Sequence, residues 1–324
     1  MRSILVTTTR SKDYQASCKH RLFLFLALFS MVTTGAFEWG RYHVASLPAF
    51  HRVGSSSKRD IWLLETSGKA TLNARQACSI ESAAIHNPEF TVRLLSTGNI
   101  GDGGCPYYSV LLDLPNFVWA QVNVKAELAG TPLEKLLVNA SKSPYAVMHL
   151  SDFLRYVLLW KRGGVYLDTD TIVTKPLAGI RNSVVYANDA RSGVCNGFLF
   201  FDANHAVLDA FINWCARTYE PGVFTTCSRA ITAKLLSDAK LSRLVTFLHK
   251  STFAAICYWK WKALFSPNST MRVLRATKRS YGVHFWNFLS KSTPIVPGSG
   301  CAMDFLAKAH CPRVYKLASQ RPYF

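Results

Sequence analysis

Short apolar runs alternate with longer segments of helical rhythm along residues 61–219. Ile61–Glu65, Thr91–Leu95, Val184–Ala187 and Gly197–Phe201 are dense in β-branched, leucine or phenylalanine residues and end on turn-forming ones, which predicts strands. Leu72–His86, Pro132–Val138 and Val207–Tyr219 space their apolar residues as helices do. Between them Leu150, Phe153, Leu154, Val157 and Leu158 form a core-facing stripe, with Ser151 as candidate N-cap. Gly163-Gly164 has the backbone freedom to stop that helix and reverse the chain. A strand through Val165 and Leu167 follows, ending on Asp168 and Asp170. This order predicts an α/β domain with a mostly parallel central sheet and helices on both faces. There is no internal repeat.

Side chains two apart on a strand point the same way, so Asp168 and Asp170 are expected to project together, with Val165 and Leu167 on the opposite, buried side. Paired carboxylates at a strand end make a hard-oxygen site for Mg²⁺ or Mn²⁺, which can hold a diphosphate as leaving group. Glu65-Thr66-Ser67 also falls at a strand end, where open α/β sheets bind ligands. Asp152 and Arg155, three apart, share a helix face away from the apolar stripe.

Ser151-Asp152, Arg155, Gly163-Gly164 and Tyr166-Leu167-Asp168-Thr169-Asp170 resemble the signature of Asp-x-Asp glycosyltransferases with the GT-A fold, most closely the alpha-1,4-glycosyltransferase group. The likeness extends over about residues 61–317: Leu64-Glu65-Thr66-Ser67, the segment Leu72–Ala84, Cys195-Asn196-Gly197-Phe198, His284-Phe285-Trp286-Asn287 and His310-Cys311-Pro312 follow in the group's order. The resemblance implies a GT-A-like nucleotide-sugar-binding fold. It also implies an enzyme that transfers galactose or an N-acetylhexosamine from a UDP-sugar to a glycolipid glycan such as lactosylceramide, with retention and an alpha-1,4 linkage. By the same resemblance Asp168 and Asp170 hold Mn²⁺ or Mg²⁺, with His284 and Asn287 as further candidates. Glu65, Thr66, Ser67, Asp152, Arg155, Asn196 and Gly197 would bind the donor. Two segments depart from the group: Phe224-Thr225-Thr226-Cys227-Ser228-Arg229 and Phe253-Ala254-Ala255-Ile256, both in the half that shapes the acceptor side. They leave open a second reading, a non-catalytic glycan or nucleotide-sugar binder acting as partner or chaperone of a sister enzyme. No nucleophile is legible; Asp189 is a speculative candidate, better read as a surface loop acid.

The N-terminus changes the setting. Residues 1–21 carry Arg2, Arg10, Lys12, Lys19 and Arg21 against Asp13, and Leu22–Phe37 then runs without a charge. This predicts a cytosolic tail (1–21), a signal anchor (22–37), a stem (38–60) and a luminal catalytic domain (61–324), single-pass type II in the Golgi membrane. The alternative is a signal peptide cleaved near Thr34-Gly35-Ala36. Eight cysteines beyond Cys18 suit an oxidising lumen, with pairing undetermined. Asn139-Ala140-Ser141 and Asn268-Ser269-Thr270 are glycan acceptors by pattern.

The net charge is +19, and removing the first 37 residues leaves 33 basic and 18 acidic side chains, a net of +15. Lys260, Lys262, Arg272, Arg275, Lys278 and Arg279 mix with Tyr258, Trp259 and Trp261. Beside an apolar anchor such a patch points to anionic lipid or a nucleotide diphosphate, not to nucleic acid. No Gly-x-Ser-x-Gly elbow, His-Glu-x-x-His or phosphate-binding loop is present. The expected partners are the UDP-sugar, a glycan or glycolipid acceptor and the Golgi membrane, with room for a homo-oligomer.

Overall fold

Residue-by-residue alternation in the strands separates two hydrophobic layers. Ile61, Leu63, Val165, Leu167, Phe198 and Phe200 face one core, while Trp62, Leu64, Tyr166, Leu199 and Phe201 face the other. A computed structural model of the chain describes residues 59–101, 104–321 and 324, within the unit Ser57–Phe324. The expected tail, the anchor and most of the stem lie outside the described residues. Among the described residues no helix is long and apolar enough to cross a membrane.

The strands are β1 (Asp60–Glu65), β2 (Thr91–Ser96), β3 (Phe117–Gln121), β4 (Gly164–Leu167), β5 (Thr171–Val173), β6 (Ser183–Tyr186), β7 (Val194–Phe201), β8 (Thr246–Leu248) and β9 (Gly282–His284). Seven form one sheet in the order β3-β2-β1-β4-β7-β6-β8, and β5 pairs with β9 in a second. In the large sheet β7 alone runs against the others. The chain order reverses between β1 and β4, the switch point at which α/β sheets bind ligands beyond their carboxyl ends. The topology is thus the mostly parallel α/β sheet expected from sequence.

The α-helices of about two turns or more among the described residues are α1 (Ala74–His86), α2 (Pro106–Leu112), α3 (Ala146–Arg162), α4 (Ala206–Thr218), α5 (Thr226–Ser237), α6 (Thr270–Thr277), α7 (Ala302–His310) and α8 (Pro312–Ala318). Asn73 starts α1 with a capping box: its side chain accepts from Gln76 N–H while the Gln76 side chain accepts from Asn73 N–H. The stripe read in α3 is buried as expected, and Asp152, Arg155, Tyr156 and Leu159 are buried as well. Each large apolar side chain so placed contributes about 1.5–3 kcal/mol. Ser151 is not the N-cap; α3 starts at Ala146, after Tyr145, where Met148 and His149 N–H already donate to Tyr145 O and the buried His149 side chain is tied to Tyr219 and Val223 O.

Gly163 and Gly164 both have positive φ, +66° and +109°. A Cβ on Gly164 would lie 2.4 Å from the Asp60 carbonyl oxygen, so β4 reaches β1 only because that atom is missing. Among the described residues two disulfides close the fold, Cys78–Cys311 between α1 and the start of α8, and Cys215–Cys227 between α4 and α5. Cys105, Cys195, Cys257 and Cys301 are free and buried.

Candidate metal and donor site

Asp168 and Asp170 do not share a strand. β4 ends at Leu167, and Asp168-Thr169-Asp170 turns the chain from the large sheet into β5 of the small one. The i, i+2 relation holds instead between Tyr166 and Asp168, whose side chains meet at 2.6 Å, and β4 is buried on both faces. Ser79 of α1 holds the turn: its hydroxyl donates to Thr169 O (2.8 Å) and accepts from Thr171 N–H (3.1 Å).

Asp168 is fixed from behind. Oδ1 accepts from the Tyr166 hydroxyl and from Arg155 Nη1 at 3.1 Å, and its N–H donates to Gly197 O at 3.0 Å. Among the described residues nothing donates a hydrogen bond to Oδ2, which sits where Gly197 lacks a side chain; a Cβ there would be 2.5 Å away. Arg155 is buried, with its remaining donors on Ser151 O, Ser151 Oγ, Asn196 O and the Asp152 carboxylate (3.2 Å). Four of its N–H groups thus donate hydrogen bonds and the Asp152 carboxylate faces Nη2 as an ion pair, so in this structure Arg155 holds Asp168 in place. Asn196 donates to Asp152 Oδ1 (2.8 Å) and accepts from the Tyr156 hydroxyl (2.6 Å). Burial pushes the Asp152 carboxyl up to about 6 against the pull of Arg155.

Asp170 belongs to a second set of groups. Pairing of Thr171 with His284 across β5 and β9 brings in a histidine 114 residues away. His284 Nε2 donates to Asp170 Oδ1 at 2.9 Å, and Asn287 N–H donates to Oδ2 at 2.7 Å. Burial alone would lower the His284 pKa, but the Asp170 charge and hydrogen bond raise it well above the usual value. Burial likewise opposes ionisation of Asp170, yet the facing His284 and the Asn287 N–H hold it below the usual range. Together they form an ion pair between a buried histidine and a half-buried aspartate. The Asn287 side chain turns to Arg75 at 3.5 Å, so Asn287 reaches Asp170 through its backbone and not as the side-chain ligand expected. Trp286 makes this possible in a left-handed conformation (φ +56°) that costs an aromatic residue about 1–2 kcal/mol. Its indole donates to Ile256 O (2.7 Å), and its ring lies 4.0 Å from that of His284.

Ligand atoms of Asp168, Asp170 and His284 all lie within 4.8 Å of one another. An octahedral ion with ligands at about 2.1 Å spans roughly 4.2 Å between opposite ligands, so a small contraction fits them to one ion. The free Asp168 Oδ2 and the imidazole–carboxylate pair are chemically suited to it: an ion would replace the proton His284 now shares with Asp170. His284 Nδ1 is buried without a hydrogen-bond partner of good geometry, and the Cys195 thiol acts on the ring from β7.

β1 pairs with β4 through Ile61 with Val165 and Trp62 with Tyr166, so Leu64-Glu65 ends the strand next to the one that leads to Asp168. Glu65 Oε1 accepts from Ser67 N–H (3.2 Å) and Oγ (2.7 Å), while Oε2 is buried without a partner. Burial raises the Glu65 pKa despite Ser67. The Thr66 hydroxyl is taken by Val147 O at 2.7 Å. Asn287, whose N–H donates to Asp170, also lines a cleft of about 1080 Å³ with Arg75, Lys291, Asn73 and Tyr107; Asp168 and Asp170 are not among its lining residues. Asp189 is remote in character: exposed, 3.4 Å from Lys250 Nζ and 4.0 Å from His249. Tyr156, Tyr166, Ser79 and Cys195 were not legible as site residues. For Tyr156, Ser79 and Cys195 that part is set by tertiary hydrogen bonds and contacts with no spacing signal in the chain, whereas Tyr166 stands two residues before Asp168, a local signal.

A family model described as "Alpha 1,4-glycosyltransferase conserved region" matches residues 200–318, and one described as "Glycosyltransferase sugar-binding region containing DXD motif" matches residues 73–189. Human lactosylceramide 4-alpha-galactosyltransferase is 30% identical over 275 residues, covering 79% of this chain and 76% of that protein. Human alpha-1,4-N-acetylglucosaminyltransferase is 28% identical over 281 residues, 81% of each. The solved galactosyltransferase LgtC, in complex with donor and acceptor sugar analogues, is 13% identical with a TM-score of 0.45, covering 79% of this chain and 95% of its own. Matches that take in the aspartate turn at one end and the His284 segment at the other, with identity sustained over three quarters of a relative, place this chain in the alpha-1,4-glycosyltransferase family.

Proposed function

We propose that this enzyme is a metal-dependent, retaining hexosyltransferase. It moves galactose or an N-acetylhexosamine from a UDP-sugar to the glycan of a glycolipid such as lactosylceramide, forming an alpha-1,4 linkage. The observation that carries the reading is the convergence of Asp168, Asp170 and His284 beyond the strand ends at the switch point. A divalent ion there, Mn²⁺ or Mg²⁺, supplies charge neutralisation for a departing diphosphate. Asp168 and Asp170 carry the negative charge that holds the ion. Arg155 and Tyr166 fix the Asp168 carboxylate so that only Oδ2 is presented. Glu65, with one buried oxygen unpartnered, and Ser67 border the nucleoside, and Asp152 with Asn196 border the sugar. Asp189, exposed and beside Lys250, is a poor nucleophile. Retention then proceeds by front-face attack, with the acceptor hydroxyl losing its proton to the departing phosphate. The setting is the Golgi lumen, with Leu22–Phe37 as a type II anchor.

The test is a donor screen on the full chain in detergent, with UDP-galactose, UDP-N-acetylgalactosamine and UDP-N-acetylglucosamine against lactosylceramide. One donor should give an alpha-linked product, and Asp170→Asn should lower kcat/KM by roughly a hundredfold or more. A second reading is a non-catalytic binder, which rests on the departures at residues 224–229 and 253–256. In the fold Thr226, Cys227, Phe253 and Ala254 are packing residues: Cys227 is in a disulfide, and Phe253 stacks 4.6 Å from Phe198. UDP-sugar binding with no turnover on any acceptor would favour the binder.

A further inference from the structure

From Ala239 to Met303 the chain has no aspartate or glutamate, yet it carries Lys240, Arg243, Lys250, Lys260, Lys262, Arg272, Arg275, Lys278, Arg279 and Lys291. The fold concentrates part of this charge. Residues Tyr258–Phe265 form a 3₁₀ helix that packs against α6, and the two elements bury Leu264, Val273 and Thr277. Lys260, Lys262, Arg272, Arg275, Lys278 and Arg279 are left exposed, and among the described residues none of the six makes an ion pair. Lys260, Lys262 and Arg272 converge with Ala263, Ser266 and Ser269 on a recess of about 330 Å³. Next to them in the chain are large apolar side chains open to solvent: Tyr258 (55% exposed), Trp259 (54%) and Met271 (63%).

We infer that this face docks on a bilayer bearing anionic headgroups: the recess takes a headgroup phosphate, and Tyr258, Trp259 and Met271 lie in the interface. With ten basic side chains and no acid between Ala239 and Met303, charge complementarity selects an anionic partner. The exposed aromatics select a lipid surface over a soluble polyanion, because indole and phenol rings settle at headgroup depth. The face is also tied to the metal site through contiguous rings. Tyr258 packs edge-on against Trp286 at 6.2 Å, and Trp286 lies 4.0 Å from His284. A docked bilayer would therefore deliver a lipid-borne acceptor beside Asp170, a consequence that rests on the proposed function while the docking itself does not.

The test uses the full chain reconstituted in phosphatidylcholine vesicles with or without phosphatidylserine, containing brominated lipid that quenches tryptophan at the interface. Measurements run in an Asn268→Gln background, since a glycan on exposed Asn268 would stand at the rim of the recess. The readout is the quenching lost on Trp259→Phe, with the thermal melt checked for each variant. It should be present in anionic vesicles, weaker in neutral ones, and abolished by Lys260→Glu/Lys262→Glu/Arg272→Glu, as each basic contact raises occupancy at an anionic surface roughly fivefold. Turnover of a soluble saccharide acceptor should survive the triple change while turnover of the same glycan on lipid falls. No Trp259-dependent quenching in any folded sample overturns the inference. So does heparin or oligonucleotide binding through the same residues without quenching. Neither result touches the transferase reading, which the soluble-acceptor turnover judges separately.

Discussion

Asp168 owes its orientation to groups that surround it on three sides. Gly197 leaves room for Oδ2, and Tyr166 with Arg155 holds Oδ1. Gly197→Ala should force the carboxylate aside and weaken Mn²⁺ binding by about 10–100-fold, as second-layer changes at metal sites do. The melting temperature should move little; Mn²⁺ titration beside a thermal melt checks both. Tyr166→Phe keeps the ring and loses a hydrogen bond to a charged oxygen, costing about 1.5–3 kcal/mol in urea unfolding. At this scale the legible part was contiguous. Asp168-Thr169-Asp170 stood out because its neighbours predict a strand end, but the same-face argument failed, since the strand stops at Leu167 and the aspartates lie in the turn. His284 was reachable only through the family's His-x-Trp-Asn element, because a partner 114 residues away leaves no periodic trace.

Elements place the two halves of the site on different sheets. β4 brings Asp168 to the switch point, and the β5–β9 pair brings Asp170 to His284. The hinge between helix and sheet is Gly163-Gly164, which was legible because only glycine tolerates such a reversal. Gly164→Ala, with its Cβ 2.4 Å from Asp60 O and φ at +109°, should destabilise by about 3 kcal/mol or more. Denaturant unfolding checks this; an unchanged midpoint would mean that β4 can pack without the close approach. The short helices and β8–β9 in the C-terminal half escaped the reading, because their apolar runs are too brief for periodicity to separate strand from helix.

For the whole molecule, disulfides and a half-buried histidine pair set the conditions of stability. The pairing of Cys78 with Cys311 spans 233 residues and that of Cys215 with Cys227 spans 12; spacing alone could not assign either. In the loop-entropy account the longer closure contributes about 5 kcal/mol and the shorter about 3. Cys311→Ala should therefore lower urea stability more than Cys227→Ala. At the same end of the fold His86 Nε2 lies 2.9 Å from His310 Nδ1, and burial, then the neighbouring His86, pushes His310 down to about 4. A histidine held neutral stabilises the fold fully above the unfolded value of 6.5. That contribution drains away as pH falls from 6.5 towards 4, where the unfolded chain binds the extra proton. Melting temperature should drop over this window, and the drop should be smaller in His310→Gln.

The central claim is that Asp168, Asp170 and His284 hold one divalent ion, and it is tested most directly by counting bound Mn²⁺. Electron paramagnetic resonance of free Mn²⁺, titrated into the full chain with UDP present, should give one site per chain. That site should be lost in Asp170→Asn and weakened by roughly tenfold or more in His284→Ala. An Mn²⁺ isotherm left unchanged by both substitutions in folded protein would contradict it.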